Sequence, residues 1–277
     1  MTDTTTASFA QSITKYRQDY RPPTHLVDAL ELDFDLGDER TTVRARMAIR
    51  SNRSAENQTG ELVLDGVGLD LVKIALDGVD LRRERYRISN EALTITGLPD
   101  QCVLETEVLI EPQANTCFEG LYRSGPMFLT QCEAEGFRRI TYFLDRPDVM
   151  TCYTTTVRAD RDRYPVLLSN GNLVQAGEDG NGRHWARWED PFRKPSYLFA
   201  LVAGDLHCEP GSFVTMSGRK VELRVYVEHH HADKCAHAMT SLIKAMRWDE
   251  ETFGREYDLD LYMIVATDDF NMGAMEN

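Results

Sequence analysis

The sequence predicts a mainly β protein: an N-terminal antiparallel β-sandwich over residues 1–205, then the opening of a mixed α+β domain over 206–277. Two observations predict it. Apolar and polar side chains alternate with period two through many short runs separated by polar turns, and the one long run of helical spacing falls late in the chain. Leu30, Leu32, Phe34 and Leu36 alternate with Glu31, Asp33 and Asp35. After a turn at Gly37-Asp38, Val43, Ala45, Met47 and Ile49 alternate with Arg44 and Arg46, with Arg50 nearby. This describes a half-buried hairpin whose acidic and basic outer faces pair across the strands.

Further strands are expected at Glu61–Leu64, Leu69–Leu76, Ala92–Ile95, Cys102–Ile110, Tyr153–Ala159 and Pro165–Ser169. Gly180-Asn181-Gly182 is a hairpin turn leading into His184–Trp188, and Tyr197–Ala203 reads as a strongly apolar strand. Trp185 and Trp188, three apart on a strand, fall on opposite faces, which argues against a stacking platform and so against a binding or scaffold module. No dinucleotide or P-loop glycine pattern occurs. After Gly204, Phe213–Met216 and Lys220–Val227 flank a turn at Ser217-Gly218-Arg219. Cys235, Met239, Leu242, Ile243, Met246 and Phe253 then recur at helical spacing, with Asp233 as cap and Gly254 as stop.

An apolar strand, Leu261–Ala266, leads to the last residues, Gly273-Ala274-Met275-Glu276-Asn277. A glycine-hinged turn carrying a carboxylate at a strand's end is a good place to grip a substrate. A chain stopping there is expected to be the front portion of a longer protein, cut at or inside its active site. Its lone amphipathic helix would then lack neighbours, so exposed apolar surface and some self-association are expected.

Composition narrows the class. With 42% apolar and 27% charged residues, general disorder is excluded. A net charge of -14 argues against nucleic acid or an anionic membrane as partner. No stretch approaches the roughly 18 apolar residues of a membrane helix, and the threonine-rich lead Met1–Gln11 lacks an export pattern. The six cysteines form no CxxC pair and read as reduced thiols of a cytoplasmic protein.

The candidate site starts at Met127–Gly136. On an extended backbone Gln131 and Glu133 point to the same side and together receive an ammonium; Glu276 supplies a third acceptor if the two domains face each other. The plain alternative is a pair of surface carboxylates on a β edge. Two histidine segments make poor metal sites. His207-Cys208-Glu209-Pro210 carries a helix-opposing proline, and His229-His230-His231 reads as a solvated turn at a strand end whose consecutive side chains do not converge as an i, i+4 pair would, a segment that at most scavenges zinc or nickel from solution.

Gly273–Asn277 resembles the exopeptidase signature of the M1 family of zinc aminopeptidases. Thr130–Gly136 with Phe137–Asp148, Leu168–Asn172 and Leu198–Asp205 are similar to further blocks of bacterial members, in the same order. The resemblance implies the front portion of an aminopeptidase of the alanyl type: a saddle-like N-terminal domain and the start of a thermolysin-like catalytic domain. By the same resemblance Glu133 and Glu276 bind the free α-amino group of a peptide, with Gln131 beside them. The backbone of Gly273 and Ala274 holds the substrate's main chain, and Met275 and Asn277 of the same segment are likewise substrate-binding. Met272 either lines the first side-chain pocket or packs ordinarily. Buried acceptors of this kind reject a mid-chain amide, which brings no ammonium.

The family's zinc is held by two histidines of an HExxH helix and a later glutamate, and none of these occurs here. Zinc binding and hydrolysis are therefore expected of an intact protein, a monomer, and neither of this chain alone. Asp268-Asp269 departs from the family's usual aromatic residue; the extra carboxylate either favours basic side chains or faces solvent. Alanine at 274 favours a plain aminopeptidase over the epoxide-hydrolysing branch, which carries glycine there. That branch and a noncatalytic peptide-binding or scaffold relative stay open.

Overall fold

Alternation at residues 25–51 builds the centre of the largest sheet. The structure, a computed structural model, describes residues 14, 16–55, 60–270 and 272–277; the lead Met1–Gln11 and Asn271 lie outside the described residues. In chain order the first strands are β1 (His25–Leu36), β2 (Thr41–Ser51), β3 (Glu61–Asp65), β4 (Asp70–Leu76), β5 (Val79–Asp80) and β6 (Tyr86–Ile88). Next come β7 (Ala92–Thr96), β8 (Gln101–Ile110), β9 (Gly120–Ser124), β10 (Met127–Gln131), β11 (Thr151–Asp160) and β12 (Val166–Ser169). The rest are β13 (Asn172–Gly180), β14 (Arg183–Lys194), β15 (Leu201–Gly204), β16 (His207–Val214), β17 (Lys220–Val227), helix α1 (Cys235–Phe253) and β18 (Leu261–Ala266).

Eight strands form the main sheet in the order β13-β14-β11-β1-β2-β8-β4-β5. Leu30, Leu32, Phe34 and Leu36 of β1 and Val43, Ala45, Met47 and Ile49 of β2 are buried. They join one core with residues of two smaller sheets, β12-β15-β10-β9 and β3-β7-β6, so the protein is mostly β and layered as a sandwich. On the opposite face the expected charge pairing is present and continues one strand further. Arg46 reaches Glu31 at 2.8 Å and Glu105 at 3.6 Å, while Arg44 reaches Glu107 at 2.8 Å and Asp33 at 3.6 Å. These pairs are largely solvated, so each contributes about 0.2–1 kcal/mol and fixes register more than stability.

The purely antiparallel expectation fails at one seam. β11 lies parallel to β1, from Ala29↔Cys152 to Asp35↔Arg158, because the chain crosses through the strands from β3 to β10 before returning. Tyr197–Ala203 is not one strand either. Pro195 has no N–H to give a ladder, and Ser196–Leu198 forms a 3-10 turn before β15 starts at Leu201. The strand expected at Phe213 starts earlier, at His207. Pro210 is tolerated because β16 is an edge strand.

In the last quarter β17 pairs with β16 on one side and in parallel with β18 on the other, α1 making the crossover. Phe213, Val221, Leu223, Leu242 and Met246 form a second core there. Gly254 closes α1 as expected, its N–H donating to Glu250 O at 3.0 Å. Asp233 does not cap it: a 3-10 turn, His229–Lys234, runs directly into the helix. None of the six cysteines is bonded to another. No helix among the described residues is long and apolar enough to cross a membrane.

His25, at the start of β1, is 8% exposed, and burial holds its imidazole below the ordinary value. A histidine kept neutral by the fold contributes stability that is fully present above its unfolded pKa of about 6.5 and is lost as the pH falls from there toward the folded value. Urea midpoints should therefore decline between pH 7 and pH 5, and His25→Gln should flatten that limb. A variant with the parent's profile would assign the decline elsewhere.

Candidate functional site

The β9–β10 hairpin, paired from Met127↔Ser124 to Gln131↔Gly120, delivers Gln131 to the end of its sheet. There the extended backbone stops. The chain turns through Cys132–Gly136, closed by the Gly136 N–H donating to Cys132 O at 2.8 Å. A Cβ on Gly136 would lie 2.6 Å from Gln131 O and 2.9 Å from Gly120 N, so only glycine lets this turn close against β9. The extended backbone expected through Glu133 therefore ends at Gln131. Gln131 is 2% exposed, whereas Glu133 stands exposed on the turn, because strand alternation ends before it.

Asp145 anchors this turn. Its Oδ2 accepts from the Arg138 backbone N–H at 3.1 Å and from Arg138 Nε at 3.0 Å, and its Oδ1 accepts from Ser196 Oγ at 2.6 Å. Arg138 also lies 3.5 Å from Glu135 and 3.7 Å from Asp65. Burial pushes the Asp65 carboxyl up, with Arg138 opposing the rise. Beneath, Phe137 packs edge-on against Phe143, Phe199 and Tyr153 at 5.1, 5.3 and 6.3 Å between ring centres. Burial also pushes the Cys132 thiol well above its ordinary value, so it is no nucleophile.

The terminal segment docks across this assembly. Ser124 Oγ donates to Asp269 O at 3.3 Å, and Gln131 Nε2 reaches Met275 Sδ at 3.6 Å as well as Glu133 O at 3.4 Å. Asn277 Nδ2 donates to the carbonyls of Leu198 and Phe199, both at 3.3 Å. The Leu198 carbonyl is also held by Asn170, whose Nδ2 donates to it at 3.0 Å and whose Oδ1 accepts from Ala200 N at 2.7 Å. The amide of Gln131 thus joins the β10 turn to the terminal segment, and the exposed Glu133 and Glu276 flank that contact in sequence. Gln131 Oε1 is buried and has no hydrogen-bond partner among the described residues. Met272, Gly273 and Ala274 are exposed, and Met272, at 46%, packs in no core.

Asn170, Asp145 and Ser196 were not foreseen as supports. The first two lie inside blocks singled out by resemblance, but nothing in their spacing assigned them a partner. The histidine reading also needs correcting. His229–Lys234 is a 3-10 turn, and two of its three histidines do converge: His230 Nε2 meets Asp268 Oδ2 at 2.8 Å and His231 Nε2 meets Asp268 Oδ1 at 2.7 Å. The Asp268 carboxylate is therefore held by imidazoles. Its neighbour Asp269 is tied to β9 through its backbone.

Known proteins match this architecture. The peptidase M1 N-terminal domain family matches residues 17–198, and the peptidase family M1 domain matches 237–277. Aminopeptidase N of Caulobacter vibrioides is 54% identical over 94% of this chain, and that of Escherichia coli is 51% identical over 95%. Each match takes in 30% of the relative's own length. The crystal structure of Legionella pneumophila aminopeptidase A in complex with aspartic acid superposes with a TM-score of 0.89 at 35% identity, over 94% of this chain and 30% of that one. The chain spans about 30% of the length of the relatives it matches.

Proposed function

The chain belongs to the M1 peptidase family, and from that premise we propose that it forms the amine-recognition part of a zinc aminopeptidase, which removes N-terminal residues from peptides. The observation that carries this reading is the buried Oε1 of Gln131, without a partner among the described residues, beside the turn that bears Glu133 and the segment that bears Glu276. A buried acceptor without a donor costs about 1–3 kcal/mol. A peptide's protonated amino end supplies that donor, and the two carboxylates favour its charge. An internal amide brings one N–H and no charge, so it leaves acceptors unmet. Gly273 and Ala274, open on the terminal segment, would lie along the substrate main chain. The exposed thioether of Met272 suits a pocket that accepts several side chains, and Met275 and Asn277 hold the segment in place.

Zinc supplies a Lewis acid and an activated water in such enzymes. The described residues do not fit that centre. No HExxH occurs in the sequence, and His230, His231 and Asp268 sit on a turn and a strand end, without a helix-borne base. No bond-breaking step is assigned to this chain, and the 277-residue chain alone should bind amines without hydrolysis. The reading further takes the junction of the two domains at 205/206, a cytoplasmic monomer for the longer protein, and peptides rather than nucleic acid or membrane as partners.

The test uses the protein at its relatives' full length. Glu276→Gln should lower kcat/KM on free-amine peptides by about ten- to a hundredfold, the worth of one charge-assisted hydrogen bond. Zinc content should stay unchanged, and N-acetylated peptides should remain unprocessed by both proteins. An unaltered rate on free-amine peptides would remove Glu276 from the site. Cleavage of acetylated peptides by the parent would end the exopeptidase reading.

A further inference from the structure

We infer that His230, His231 and Asp268 form a binding site for one divalent transition-metal ion. β17 and β18 are adjacent parallel strands, paired as far as Val227↔Ala266, so their C-terminal ends emerge side by side. The turn after β17 carries the two imidazoles, and the segment after β18 carries the carboxylate. Their ligand atoms all lie within 4.8 Å of one another, and both Nε2 atoms already address the two oxygens of one carboxylate. An ion with bonds of about 2.0–2.2 Å to nitrogen and oxygen needs its ligands about 3.3 Å apart, which small side-chain rotations reach. Two neutral imidazoles and a carboxylate suit Zn²⁺, Ni²⁺, Co²⁺ or Cu²⁺ over Ca²⁺ or Mg²⁺, which prefer oxygen.

The surroundings both prepare and oppose the site. The Asp268 N–H donates to Glu228 Oε1 at 3.0 Å, which fixes the carboxylate's backbone to the base of the histidine turn. Glu228 Oε2 is buried without a partner among the described residues. Lys234 Nζ lies 2.8 Å from His231 Nδ1 and must swing away when Nε2 takes a metal, since Nδ1 then carries the proton. His229 is engaged by Asp205 at 2.8 Å and stays outside the set. A bound ion would tie the two strand ends together just ahead of Met272–Asn277, so its occupancy should order the segment that meets Gln131.

Metal-free 277-residue protein titrated with Ni²⁺ or Zn²⁺ in a calorimeter should bind one equivalent, and Co²⁺ should give a visible d–d spectrum of nitrogen and oxygen ligation. Asp268→Asn and His230→Ala should each weaken binding by at least about tenfold. Lys234→Met should tighten it several-fold, a change that damage to the fold would not produce. Hydrogen exchange over residues 267–277 should slow on metal addition. Absence of a saturable equivalent would overturn the site. So would unchanged affinity in Asp268→Asn or weaker binding in Lys234→Met, either of which would assign the metal to other histidines.

Discussion

Asp145→Ala is expected to lower the stability of the chain by about 3 kcal/mol. The carboxylate is 3% exposed and meets three donors: Arg138 Nε, the Arg138 backbone N–H and Ser196 Oγ. Removing it leaves the Arg138 guanidinium with the main-chain carbonyl of residue 145 at 3.2 Å and the more distant carboxylates of Glu135 at 3.5 Å and Asp65 at 3.7 Å, and leaves a buried hydroxyl without its carboxylate acceptor. Asp145→Asn retains an acceptor and should cost less. Urea denaturation of the two variants measures both. The consequence reaches the candidate site, because Asp145 ties the Cys132–Arg139 turn to the Pro195–Phe199 turn, whose carbonyls receive Asn277. A loss below about 1 kcal/mol for the alanine variant would show a network that water replaces readily.

Gly171→Ala is expected to cost about 2–5 kcal/mol, adding backbone strain to overpacking. The residue has φ +88°, and a Cβ there would stand 2.1 Å from Glu189 O and 2.7 Å from Asp190 Cα, both main-chain atoms of β14. Gly78 offers the control: φ is +79°, yet nothing lies within 4 Å of its added Cβ. Gly78→Ala isolates the strain and should cost only about 1 kcal/mol. Thermal melts of the pair separate the two contributions. Equal losses would mean that β14 yields without penalty. Gly171 adjoins Asn170, which grips Leu198 and Ala200, so its replacement should also disturb the seat of Asn277.

Period-two patterning made the large sheet legible because one face of it is solvated. Glu31, Arg44, Arg46 and their neighbours announce the outer face as clearly as Leu32 and Phe34 announce the inner. β10 gave no such signal: all five of its residues are buried, so it alternates nothing. Its end at Gln131 depends on Gly136 approaching β9, a contact that spacing alone does not encode. The segment Tyr197–Ala203 misled for a related reason. It is apolar because it is buried, but Pro195 and the grip of Asn170 shape it as a turn. The meeting of His230 and His231 with Asp268 was illegible because only the parallel register of β17 and β18 joins positions 37 and 38 residues apart. The support from Asp145 was hidden likewise, since Ser196 lies 51 residues beyond it.

The parallel seam between β1 and β11 has a consequence for synthesis on the ribosome. β1, β2 and β8 are nearest neighbours in the sheet and can zip up from the first 110 residues. The other edge of β1 must wait for a partner 124 positions downstream, where Thr151 Oγ1 finally donates to the Val27 carbonyl. At about 5–20 residues per second, that leaves a naked strand edge for roughly 6–25 seconds in every nascent chain. Such an interval is long against misassembly between neighbouring polysomes. The newborn chain's dependence on chaperones should therefore be concentrated before residue 160 leaves the exit tunnel.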